Sequence, residues 1–180
     1  MSTNLAKPNI DKELKLEIRA NIAAIEQSIK DNQDPNYKVF DFKKEGDKGV
    51  CPVTHTFTDG VYMREMFIPK GLVIVGKIHK HEHPSFLMQG KIQVLSETGG
   101  EQMLEAPQYV VSGGGTKRVA YVLEDVIWIT VHANPTNTQD LEEIEKIYTA
   151  DSYEEYNKYI KLEGKPMSRL KKLLIKKLSV

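Results

Sequence analysis

Pro69-Lys70-Gly71-Leu72-Val73-Ile74-Val75-Gly76-Lys77-Ile78-His79-Lys80-His81-Glu82-His83-Pro84 is the stretch on which the reading of this chain turns. It opens on a turn signature, runs through β-branched residues and ends in histidines at alternate positions. In an extended strand, residues i, i+2 and i+4 share a face. His79, His81 and His83 therefore point one way and Glu82 the other. Neutral imidazole is the commonest protein metal ligand, and a neighbouring carboxylate suits zinc, iron or manganese. Same-face neighbours lie ~6.5–7 Å apart along a strand. An ion ~2.1 Å from its ligands accepts two such positions readily, and three in a row only if the strand distorts. A pair, His79 with His81 or His81 with His83, is the favoured set. The plain alternative is a polar loop kept in solvent by Lys80, Glu82 and Pro84.

Outward from this stretch, short runs rich in Val, Ile, Thr, Phe and Tyr recur between turn residues. They are Val53–Thr58, Val61–Ile68, Leu72–Ile78, Ser85–Met88, Lys91–Ser96, Gln102–Glu105, Tyr109–Ser112, Arg118–Leu123 and Val126–His132. Eight or nine short strands with no helix between them make a sandwich or a barrel. The last strand brings His132 into consideration as a further ligand, beside Glu82. Before and after this segment the pattern is helical. Ile10, Leu14, Ile18, Ile22, Ile25 and Ile29 recur at helical spacing between Asn9 and Asn32, with Asn9 as a cap. Asp140–Ala150 and Ser152–Leu162 carry apolar residues in acidic frames, and Met167–Val180 is short, amphipathic and basic. The chain divides into an N-terminal helix and arm (1–50), a barrel (51–134) and a C-terminal helical extension (135–180).

Composition narrows the classes. The 180 residues suffice for one domain with a core, and 25 basic residues balance 25 acidic ones. Zero formal charge argues against nucleic-acid binding by the whole chain. A single cysteine, Cys51, excludes an internal disulfide. No apolar run reaches the ~18–20 residues of a membrane span. The N-terminus lacks the apolar core of a secretory signal, so a cytoplasmic location is expected.

The segment from about Val61 to Ala133 resembles the cupin family of small β-barrels. Pro69-Lys70-Gly71 leads into Leu72–Ile78 and then His79-x-His81, and Gly90 closes a turn before Lys91-Ile92-Gln93-Val94. The second family motif corresponds to Tyr109–Arg118. The sequence departs from the pattern twice: His83 stands in the family's Glu position, and Arg118 in its third-His position. The segment also resembles the small cupin-like proteins of tailed bacteriophages. The shared features are a His-Lys-x-x-His run at His79–His83, a Gly-Thr-Lys-Arg turn at Gly115–Arg118 and a Trp-x-x-x-His strand at Trp128–His132.

The resemblance implies a mainly β fold: one cupin-like β-barrel or jelly roll flanked by an N-terminal helix and C-terminal helices. Three functions are open. One is binding of a divalent metal (Zn, Fe or Mn) or a small ligand, without catalysis. The second is a structural role in a homo-oligomer or larger protein assembly, as a virion component if the chain is phage-encoded. The third is a metal-dependent enzyme of oxygenase or isomerase type. The metal candidates are His79, His81, His83 and His132. Arg118, Lys117 and Glu82 are the candidates for a ligand: a guanidinium fork grips carboxylate or phosphate, and the Gly113-Gly114-Gly115-Thr116 turn can present N–H groups to an anion.

Overall fold

Alternation of burial along the strands builds two sheets around one interior. Lys91–Ser96 switches between partly and fully buried at every step, and Gly60–Ile68 buries Tyr62, Met66 and Ile68 on one face. The computed structural model describes residues 10–32, 37–39 and 50–163. Its elements are α1 (Lys12–Asn32), β1 (Tyr37–Val39), β2 (Val53–Thr58), β3 (Gly60–Ile68), β4 (Val73–Val75), β5 (Ile78–His79) and β6 (His83–Gln89). They continue with β7 (Lys91–Ser96), β8 (Gly100–Glu105), β9 (Gln108–Ser112), β10 (Arg118–Val122), β11 (Val126–Asn134), α2 (Leu141–Tyr148), β12 (Thr149–Ala150) and α3 (Tyr153–Glu163).

One sheet runs β1-β4-β10-β7-β8, the other β2-β3-β11-β6-β9, and β12 pairs with β5 alone. Counting the eight strands from β3 to β11 and leaving out the two-residue β5, the sheets interleave in the double Greek-key order of a jelly roll. The interior holds Met66, Ile68, Leu72, Ile74, Leu87, Ile92, Val94, Leu104, Val122 and Val126. The expected mainly β jelly roll with flanking helices is therefore present.

Helix α1 is capped by Asp11, whose Oδ1 accepts from Leu14 N–H at 2.8 Å; Asn9, the expected cap, lies outside the described residues. Its Ile18, Ile22 and Ile29 pack on Val75 and Val119, on the outer face of the first sheet. Each such burial contributes ~1.5–3 kcal/mol. Leu14, expected in the same stripe, is 43 % exposed. Buried Glu97 ties the helix down: it accepts from Arg19 Nε at 2.5 Å, from Tyr153 of α3 at 2.7 Å and from Lys117 N–H at 3.2 Å.

Two expectations need correction. The single strand expected over Leu72–Ile78 is broken at Gly76-Lys77 into β4 and β5, which belong to different sheets. Tyr37–Val39, expected in a linker, adds to the first sheet parallel to β4. The basic segment Met167–Val180 lies outside the described residues. Among the described residues no helix is long and apolar enough to cross a membrane.

Candidate metal centre

The histidines do not follow strand alternation, because the chain is not a strand throughout. Lys80 and His81 form a bend between β5 and β6. The backbone of the bend is fixed from both sides. Gly115 N–H donates to His79 O at 2.7 Å, and Lys80 N–H donates to Tyr148 O at 2.7 Å. The bend turns His81 outward, where its Nε2 lies 3.5 Å from the Tyr159 hydroxyl, and leaves it exposed. His79 and His83 are left facing inward.

The third imidazole comes from β11. Ser85 of β6 is in register with Thr130 of β11, and Thr130 with Arg64 of β3. Two residues nearer the barrel mouth, the β11–β3 ladder puts His132 opposite Tyr62, with its ring beside that of His83. Ring centroids of His79 and His83 are 4.1 Å apart, those of His83 and His132 4.6 Å, and those of His79 and His132 5.6 Å. One nitrogen from each ring lies within 4.8 Å of the other two. A tetrahedral ion with bonds of ~2.1 Å needs its ligand atoms ~3.4 Å apart, so the three rings would draw together on binding one.

Electrostatics keeps these rings in the form that binds metal. Burial, opposed only by a backbone hydrogen bond, pushes His83 down to about 4, with Arg118 and Arg64 adding to the effect. Burial pushes His132 to about 3, with help from His83 and Arg64. Burial and then His83 hold His79 well below the usual imidazole value. All three are neutral at pH 7, and metal binding needs neutral imidazole. The His83 Nδ1–H donates to the His81 carbonyl at 3.2 Å, which leaves Nε2 with the lone pair. His79 Nδ1 is buried with no hydrogen-bond partner among the described residues. An unpartnered buried nitrogen on one of three clustered imidazoles is compatible with a ligand set that holds no metal.

The cluster opens on a cavity of about 120 Å³ inside the barrel. His79, His132, Arg64, Arg118 and Thr130 line its mouth end, and Ile68, Ile74, Ile92 and Trp128 line its floor. Helix α2 is the roof, through Ile144, Glu145 and Tyr148. Asp140 caps this helix by accepting from Glu142 N–H and Glu143 N–H, and Tyr148 reaches the Ala133 carbonyl. Lys77 latches the roof by pairing with Glu145 and Asp151. Sequence reasoning missed this roof. The apolar spacing of Leu141, Ile144 and Ile147 was its only signal, and such a stripe does not name what it packs on.

Of the residues singled out in the sequence, His79, His83, His132 and Arg118 come together, and the others do not. His81 and Glu82 are exposed on the bend. Lys117 is turned away from the cavity by its pairing with Glu26 of α1. In the glycine turn the backbone packs against the histidine bend. A side chain at Gly114 would come within 2.8 Å of Lys80 O, and Gly115 has already given its N–H to His79.

No known protein-family model matches the chain, and no curated protein matches it. Solved structures match the barrel at low identity. An RmlC-like cupin family protein with a double-stranded β-helix fold from Methanocaldococcus jannaschii is 16 % identical, with a TM-score of 0.41 over 55 % of this chain and 93 % of that one. KdgF from Halomonas sp. is 18 % identical, with a TM-score of 0.42 over 53 % of this chain and 94 % of that one. A putative ethanolamine utilization protein Q from Salmonella typhimurium is 15 % identical, with a TM-score of 0.42 over 54 % of this chain and 79 % of that one. The jelly roll stands on the strand order itself. Nothing in these matches supports the phage resemblance.

Proposed function

We propose that this protein binds a divalent transition metal through His79, His83 and His132, and that the metal faces a partly roofed cavity that admits a small molecule. The carrying observation is the convergence of three neutral imidazoles from β5, β6 and β11, one with an orphaned buried nitrogen. Three imidazoles without a thiolate suit zinc or ferrous iron, and leave coordination positions open toward the cavity. A metal held there supplies Lewis acidity to whatever ligand enters. The chain's own residues do the rest: His81 O orients His83, α2 covers one side of the cavity, and Arg118 and Arg64 set a positive field. A binding role and a metal-dependent reaction share this centre, and the three-ligand set removes the shortage that a His79–His81 pair would leave.

The test is the metal content of protein purified without added metal, and after zinc or iron(II) is supplied. One ion per chain is expected, lost in a His79→Ala, His83→Ala double variant. Wild-type protein that takes up neither metal contradicts the reading.

A second reading, assembly of copies of the chain, draws on a different surface. The outer face of the β6–β9 pair carries Pro84, Met88, Tyr109 and Val111, all exposed, around Phe86. Apolar residues gathered on one sheet face favour association. Light scattering that gives a single-chain mass at high concentration removes this reading and leaves the metal centre untouched.

A further inference from the structure

We propose that the cavity holds a small monocarboxylate with an apolar body, its carboxylate gripped by Arg118. The inference deepens the pocket reading above, and it rests on the cavity rather than on the metal.

Arg118 opens β10 opposite Ser96, one inward position nearer the mouth than Ala120, and it lines the cavity. Among the described residues its guanidinium has no carboxylate partner and no hydrogen bond. The other cations nearby are answered. Lys77 pairs with Glu145 and Asp151, Lys117 pairs with Glu26, and Arg64 lies in the field of Glu145. A cation left without a counter-charge inside a barrel is costly unless something brings one. Burial alone acts on it, lowering its proton affinity with no acid to offset the effect.

Thr130 belongs to the same polar end of the cavity. Thr130 Oγ1 is buried, unpartnered among the described residues, and part of the cavity lining. The planar guanidinium fork of Arg118 matches the two oxygens of a carboxylate in a bidentate pair. A phosphate monoester carries close to two charges and three strongly accepting oxygens, and would leave acceptors unmet here. Beyond the polar rim the lining is Ile74, Ile92, Val94, Ala120 and Trp128, which suits an apolar body. At about 120 Å³ the space is close to that of an apolar cavity known to admit benzene. The apolar lining beyond the single open guanidinium fork favours short branched or aromatic monocarboxylates.

The experiment is calorimetric titration of benzoate and isobutyrate into EDTA-treated and zinc-loaded protein, with benzyl alcohol and inorganic phosphate as comparators. At least one carboxylate should bind the wild type in preference to both comparators. Arg118→Met, which keeps the volume and removes the fork, should weaken it about tenfold or more while leaving benzyl alcohol unchanged. Arg118→Lys, which keeps the charge, should fall between and serves if the Met variant does not fold. Carboxylate binding that is no tighter than benzyl alcohol or phosphate, or that survives Arg118→Met intact, overturns the inference. The metal reading fails separately. Carboxylate binding by protein that takes up no zinc sinks the metal centre alone, and zinc uptake without carboxylate binding sinks this proposal alone.

Discussion

The barrel has two ends made by the same strands, and they obey different rules. At the floor, the inward positions of β3, β6, β10 and β11 are Ile68, Leu87, Val122 and Val126, all buried in one apolar cluster. A few residues along the same strands, the inward positions are Tyr62 and Arg64, His83 and Ser85, Arg118, and Thr130 and His132. Backbone alternation treats both ends alike, since it only decides which side chains point in. What differs is the cost of what points in. Floor residues leave water at a gain, whereas mouth residues are desolvated with few partners, and burial pushes Tyr62, Arg64, His83, Arg118 and His132 all away from the charged form. A protein selected only for stability would extend the floor upward, so the mouth marks where function is traded against stability.

The comparison breaks first in acid. The His83 and His132 values of about 4 and about 3 lie below the unfolded value near ~6.5. Between those limits the unfolded chain binds more protons than the folded one. Stability is therefore fully present above ~pH 6.5 and is lost as pH falls toward the folded values. Metal-free protein should lose about 2 kcal/mol per histidine between pH 7 and pH 5, about 4 kcal/mol for the pair. Urea midpoints at the two pH values measure this, and a His83→Leu, His132→Leu variant should lose most of the dependence. Equal pH dependence in wild type and variant would place the acid sensitivity elsewhere. The floor predicts the opposite signature. Leu87→Ala should cost about 3 kcal/mol at either pH, through lost burial and the cavity left behind, without altering metal uptake.

Much of this contrast can be read from the sequence, and the rest has physical reasons for being hidden. Val53–Thr58 and Lys91–Ser96 form strands with the expected bounds, because their β-branched residues alternate between clear turns. Tyr37–Val39 and Thr149–Ala150 are strands of three and two residues, too short to show a period. The histidine run misleads for a related reason. Alternation at His79, His81 and His83 assumes one strand, but the bend at Lys80-His81 moves the chain from the β5–β12 pair into the second sheet. That bend is held by the Tyr148 carbonyl and the Gly115 N–H, both distant in sequence. His132 was legible as a strand residue, yet its place beside His83 depends on the β6–β11 register, which no local pattern encodes. Arg118 stood out only where a resemblance supplied a histidine for contrast.

The account's central claim is that His132, and not His81, completes the metal centre with His79 and His83. Zinc affinity of His132→Ala and His81→Ala, measured side by side by competition with a chelator, tests it most directly. His81→Ala keeps the backbone carbonyl that orients His83 and should bind zinc as the wild type does. His132→Ala should lose about tenfold or more in affinity. Normal binding by His132→Ala together with a loss in His81→Ala would contradict the account and restore the strand-pair site on the bend.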